Sequence, residues 1–148
     1  MKILNTDNRF LIAVCFVLVI GGCQTTPPIQ IPESIETDLR HRFDEYKRNV
    51  EGACKKDSNA LIYVLKVNNI EDGATYDHGV VLIKIYMLIG ESSFIKGING
   101  LTPSEKMNLR MYVEAGLDRY NSDFLKEFTP KNKRLFEALN MNWQHYTN

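Results

Sequence analysis

From residue 33 onward, apolar residues recur at a helical period. Ile35, Leu39, Phe43, Tyr46, Val50 and Ala53 follow one another at steps of three and four, with acidic and basic residues between them. That spacing is one face of a 3.6-residue helix and predicts an amphipathic element lying on a core. Ser34 is placed as its N-cap and Glu36 in its first turn. The intervening Arg40, Arg42, Asp44, Glu45, Lys47 and Arg48 read as its solvated face, with no ligand. Further on, Thr102-Pro103-Ser104-Glu105 has the form of a capping box with proline at the first helical position, where no donor is lost. A helix is predicted from there to about Phe128, with Leu109, Val113, Leu117, Tyr120, Phe124 and Phe128 on its stripe. Thr129-Pro130 is expected to stop it and cap a last helix carrying Leu135, Phe136, Leu139, Trp143 and Tyr146.

The middle of the chain is less clear. Residues 60–70 and 79–89 are apolar runs, the second interrupted only by Lys84, and periodicity does not separate a buried helix from a buried strand in such runs. Their length favours helix and their β-branched residues favour strand. Asp57 or Ser58 as an N-cap, with Leu61, Val64, Leu65 and Asn68 on one face, tips the first run toward helix. The rival is a hairpin whose loop is Asn68 to His78. Gly90 to Gly100, with three glycines among serines and Asn99, reads as a loop. The expected fold is mainly α, a small bundle of four to five helices with residues 79–90 wrapped by amphipathic neighbours; the alternative is α+β with a central hairpin at about 60–89.

Composition narrows function mostly by exclusion. The 148 residues hold 18 Lys and Arg against 18 Asp and Glu, so there is no cationic field of the kind that gathers nucleic acid or anionic lipid. His41, His78 and His145 belong to no HExxH or CxxC spacing, and neither a metal nor a cofactor is expected. No nucleophile elbow or phosphate-cradling glycine loop occurs, so the chain is not expected to be an enzyme or to take a small-molecule substrate. Asp77-His78 is read as a loop pair bonding nearby backbone rather than a polar mouth. Lys131-Asn132-Lys133-Arg134 is read as a solvated face whose charges oppose the helix dipole. Tyr112, Tyr120, Phe124, Phe128, Phe136, Trp143 and Tyr146 are chiefly core by spacing; any subset exposed on one face would mark an interface.

The N-terminus carries the most specific pattern. Phe10 to Gly22 is an apolar stretch of 13 residues preceded by Lys2 and Arg9, the order of an export signal and too short for a spanning helix of roughly 20 residues. It ends in Ile20-Gly21-Gly22-Cys23, and here the chain resembles the bacterial lipoprotein class, although Ile20 stands where leucine is commonest. The resemblance covers the export segment alone. It implies cleavage after Gly22, diacylglycerol on the Cys23 thiol and acylation of the freed amine. Gln24, where lipoproteins retained in the inner membrane of many Gram-negative bacteria usually carry Asp, implies sorting to the outer membrane, facing the periplasm; in a Gram-positive cell the anchor would sit on the outer face of the single membrane.

The expected organisation is a signal peptide at 1–22, a lipidated tether at 23–32 and a single globular domain at 33–148. Three prolines between Gln24 and Pro32 favour extended backbone, and these nine residues would reach on the order of 30 Å at about 3.1 Å each. Cys15 would leave with the signal and Cys23 would be lipidated, so the domain would keep Cys54 alone. Cys54 is expected to be a small buried hydrophobe near a helix end, the alternative being an intermolecular disulfide in an oxidising periplasm. Cleavage would remove Lys2, Arg9 and Asp7 from the balance of 18 and 18, leaving 16 basic against 17 acidic residues, so lipid rather than charge would hold the protein at the membrane.

Two functions fit these expectations. One is an accessory lipoprotein binding another envelope protein, pilotin-like or in assembly. The other is an immunity or inhibitor lipoprotein that blocks a periplasmic toxin or hydrolase.

Overall fold

A computed structural model of the chain describes residues 29–147, and every regular element within them is helical. The helices are α1 (Glu33–Leu39), α2 (Phe43–Cys54), α3 (Ser58–Lys66), α4 (Asp72–Ile89), α5 (Glu91–Asn99), α6 (Pro103–Leu117), α7 (Ser122–Lys131) and α8 (Lys133–Ala138). Short 3-10 turns at Arg40–Arg42 and Trp143–Tyr146 complete them. The fold is a mainly α bundle, and both apolar runs of the middle are helices.

The centre of the bundle is α4. His78, Gly79, Val81, Leu82, Ile83, Ile85, Tyr86 and Ile89 are all buried in it, and only Tyr76, Lys84 and Met87 stand clearly exposed between residues 76 and 89. Helices α1, α2, α5 and α6 pack around it. Burial on nearly every face overrides the strand preference of its valines and isoleucines. The helix begins at Asp72, so residues 72–77, expected in a loop, are its first turns. Gly73 and Thr75 are weak helix formers, and the turn is held instead by side-chain bonds. The Thr75 hydroxyl donates to the Ile70 carbonyl at 2.9 Å, and Ser34 donates to the Asp77 carboxylate.

Several local expectations are corrected. Ser34 does not cap α1; Pro32 holds that place with extended backbone and no side-chain cap bond. The predicted first helix is broken by Arg40, whose φ of 47° starts the 3-10 turn, while Ile35, Leu39, Tyr46, Val50 and Ala53 stay on the core. Residues 91–99 form α5 rather than a loop. Phe94 and Ile98 bury one side of it, and Gly97 lets it approach α3 so closely that a Cβ there would stand 2.8 Å from Leu65 Cδ1. Helix α6 ends at Leu117, not near Phe128, and α7 restarts under an Asn121 cap whose Oδ1 accepts from the Phe124 N–H at 2.8 Å. Pro130 lies inside the last turn of α7 rather than stopping it ahead of Thr129. The caps at Asp57 and at Thr102 with Glu105 form as the sequence suggests.

Candidate interaction groove

Helix α6 starts from the capping box. Thr102 Oγ1 accepts from the Glu105 N–H at 3.3 Å, Glu105 Oε2 accepts from the Thr102 N–H at 2.7 Å, and Glu105 Oε1 pairs with Lys66 of α3 at 3.1 Å. The backbone and hydroxyl bonds from Thr102, with the Lys66 ammonium, hold the Glu105 carboxyl below its ordinary range. This clamp points Glu105 toward α3. Leu109, Tyr112, Val113 and Leu117 face the core, so the far side of α6 carries Met107 and Met111, one turn apart.

Opposite that side runs the segment after α8, placed by a Schellman turn. Asn140 takes φ 53°, its N–H donates to the Glu137 carbonyl at 3.1 Å, and the Met141 N–H reaches back to the Phe136 carbonyl at 2.8 Å. Asparagine is one of the few residues that adopts this left-handed position readily. The turn aims the Asn140 carbonyl at α6, where it accepts from Arg110 Nη1 at 2.9 Å while Arg110 Nε donates to Glu114 Oε1 at 2.8 Å.

Arg110 therefore divides one groove into two hollows. The first, about 440 Å³, has Leu101, Pro103, Met107 and Leu139 as apolar lining and Lys106 and Arg110 as its charges; no carboxylate lines it. The second, about 260 Å³, lies between Glu114, Asn142, His145 and Tyr146. Burial, then the nearby Glu114 and Asp118, push the Tyr146 hydroxyl up to about 12. Met107 is 67% exposed and Met111 53%, the two most exposed of the large apolar side chains that stand out from the described surface. No family model matches this chain, and no curated protein or solved structure matches it either. Its groove is read from its own chemistry.

A second polar constellation sits in the core and not in any opening. His78 is fully buried, its Nδ1 lies 2.8 Å from the Tyr46 hydroxyl, and its ring meets Tyr112 edge to face with centroids 4.9 Å apart. The Nε2 atom has no partner among the described residues. With the Tyr46 O–H donating to Nδ1, one donor stays unpaired; the opposite tautomer strands both that hydroxyl's proton and the Nε2 lone pair. Burial pushes the His78 imidazole down to about 3 and the Tyr46 phenol far up. Both stay neutral, and the pair is a core hydrogen bond with no access for a substrate. The reading of Asp77-His78 as loop residues on nearby backbone is corrected: both are in α4, on α1 and α2.

Other candidates are absorbed into structure. In the basic cluster Lys131 pairs with Glu127 at 2.7 Å, Arg134 with Glu91 at 2.8 Å, and Lys133 sits 4.2 Å over the Trp143 ring. Tyr120, Phe124 and Phe128 form a stack with centroids 4.1 and 5.1 Å apart, and Phe136 is wholly buried. Cys54 is half-buried at the end of α2; burial raises its thiol, and the nearby Ile29 backbone opposes that shift. Among the described residues no group of three or more His, Cys, Asp or Glu is arranged to hold a metal, and no helix is long and apolar enough to cross a membrane. Cys23, the expected lipidation site, lies outside the described residues. The sequence reading missed Met107 and Met111, although the signal was there: they are apolar residues set opposite the Leu109–Val113 stripe of the same helix.

Proposed function

We propose that this chain is an outer-membrane lipoprotein, anchored through acylated Cys23, whose helical domain binds another envelope protein in the groove between α6 and residues 139–146. The observation that carries this reading is the exposed Met107 on the lining of a partly apolar hollow, with exposed Met111 one turn further along α6. Unbranched, polarizable methionine adapts readily to a partner's surface, and an apolar-lined concavity with a few polar groups at its edge is the usual form of a binding site. The role is accessory, of the pilotin or assembly type: lipid supplies the address and the groove holds the partner.

The test is site-specific crosslinking in intact cells. A photoreactive residue at position 107 is expected to capture one discrete envelope protein, whereas the same residue at Met87, exposed on α4, captures none. Failure at position 107 under conditions where the protein is acylated removes the reading. Gene deletion distinguishes the roles, because a defect in secretion or assembly supports it, and sensitivity to a periplasmic toxin or hydrolase would assign an immunity or inhibitor protein instead.

A further inference from the structure

Resting on that reading, the geometry points to the chemistry of the partner: the hollow beside Met107 takes a segment that pairs one bulky apolar side chain with a carboxylate. The apolar part is set by Leu101, Pro103, Met107 and Leu139, in a space of about 440 Å³ that admits a leucine or phenylalanine side chain. The charge is set by what is present and by what is already engaged. The Lys106 ammonium makes no ion pair or hydrogen bond among the described residues. Arg110 uses two of its N–H groups, on Glu114 and Asn140, and a guanidinium has five, so donors remain for an incoming anion. Of the nearby carboxylates, Glu105 is held by Thr102 and Lys66, and Glu114 pairs with Arg110 Nε and offsets its charge, which leaves Lys106 as the cation of the first hollow with no carboxylate partner among the described residues. The first hollow is thus cationic over an apolar floor, while the second, next to Glu114 and Asp118, is not.

This asymmetry gives a bound segment a direction. Its acidic group lies over Lys106 and Arg110, and its apolar side chain fills the space below them. A basic or purely apolar segment leaves Lys106 unpaired or repelled, which is discrimination by charge rather than by area.

The experiment is selection from a phage-displayed heptapeptide library on the full-length lipoprotein in detergent micelles. Enrichment of peptides that place Asp or Glu beside Leu, Ile, Phe or Trp is expected, with binding that weakens as salt is raised. Lys106→Glu should weaken the selected peptides at least about tenfold, as expected for reversing one charge at a partly desolvated contact, and reselection on that variant should lose the acidic preference. Met107→Asp should abolish binding, with circular dichroism unchanged in both variants. Enrichment of basic or uncharged peptides overturns the inference even if position 107 crosslinks a partner in cells, so its failure is separate from failure of the groove. Anionic phosphatidylglycerol vesicles bound in a Lys106-dependent way, with no peptide selected, overturn it as well.

Discussion

Gly79 of α4 and Gly116 of α6 meet backbone to backbone. A Cβ on Gly79 would lie 2.0 Å from the Tyr112 carbonyl oxygen and 2.6 Å from the Gly116 nitrogen, and a Cβ on Gly116 would lie 2.3 Å from the Gly79 carbonyl carbon. The two helices at the centre of the bundle are spaced by this contact, so it also sets where the groove-bearing face of α6 stands. Main-chain atoms cannot rotate away as a side chain would.

Gly79→Ala and Gly116→Ala are therefore each expected to destabilise the domain by about 2 kcal/mol or more, the overpacking strain outweighing the ~1 kcal/mol that alanine gains in a helix. Gly73→Ala, in the same α4 but with nothing within 4 Å of the added methyl, should instead stabilise by about 0.5 kcal/mol. Urea denaturation of the three variants checks both signs.

Burial holds the His78 imidazole down at about 3, against an ordinary value of 6.5. Between those values the unfolded chain binds a proton that the folded chain refuses, so stability falls as pH falls through that window, by up to about 1.4 kcal/mol per pH unit. Glu105 and Glu127, both held below the ordinary 4.5, lose their contributions only at lower pH. The slope between pH 6 and 5 thus belongs to His78. His78→Gln, which keeps a hydrogen-bonding group near Tyr46 but cannot titrate, should flatten it in denaturation curves at the two pH values.

The Schellman turn predicts a graded response at Asn140. With φ at 53°, Asn140→Ala should cost about 1 kcal/mol and Asn140→Gly should be neutral or slightly stabilising. Both keep the carbonyl that Arg110 uses. Thermal melts of the two variants should separate by several degrees, in that order.

Met107→Ser and Met111→Ser remove exposed methionines that contribute little to the core, so each should change stability by less than about 0.5 kcal/mol while reducing crosslinking or partner capture. A loss of stability comparable to a core truncation would show that the two side chains serve packing instead.

Cys23→Ser should abolish incorporation of labelled fatty acid and leave an unprocessed chain. Labelling that persists in the variant would remove the anchor from the proposal.

The stripe Ile35, Leu39, Tyr46, Val50 and Ala53, and the caps at Asp57 and Thr102, were legible because they rest on local spacing and short-range hydrogen bonds. The breaks were not. Arg40 and Asp118–Asn121 interrupt apolar stripes that continue across them, since side chains can keep facing one core while the backbone changes direction. Helix α5 was hidden by its glycines, of which Gly97 is required by the approach of Leu65 and not by a turn. The pairing of Tyr46 with His78, 32 residues apart in sequence, and the meeting of Arg110 with Asn140 are long-range products of packing that no spacing encodes. The basic lining of the groove comes from two ordinary helix-surface residues, and only the fold shows that they overhang a hollow.

Ile29 and Ile31 are partly buried against the core, and the Ile29 backbone lies near enough to Cys54 to oppose the rise of its thiol. On the proposed anchor at Cys23, this leaves the five residues 24–28 between lipid and domain, a span of at most about 18 Å when fully extended. The sequence suggested a longer spacer. With that anchor, so short a spacer would confine the domain to a thin layer above the headgroups with the corner near Cys54 toward the lipid, and encounter with the proposed partner would become a search in two dimensions. Lengthening the 24–28 segment with Gly-Ser repeats should weaken capture of a membrane-embedded partner by lowering its effective concentration, with no change to the groove itself.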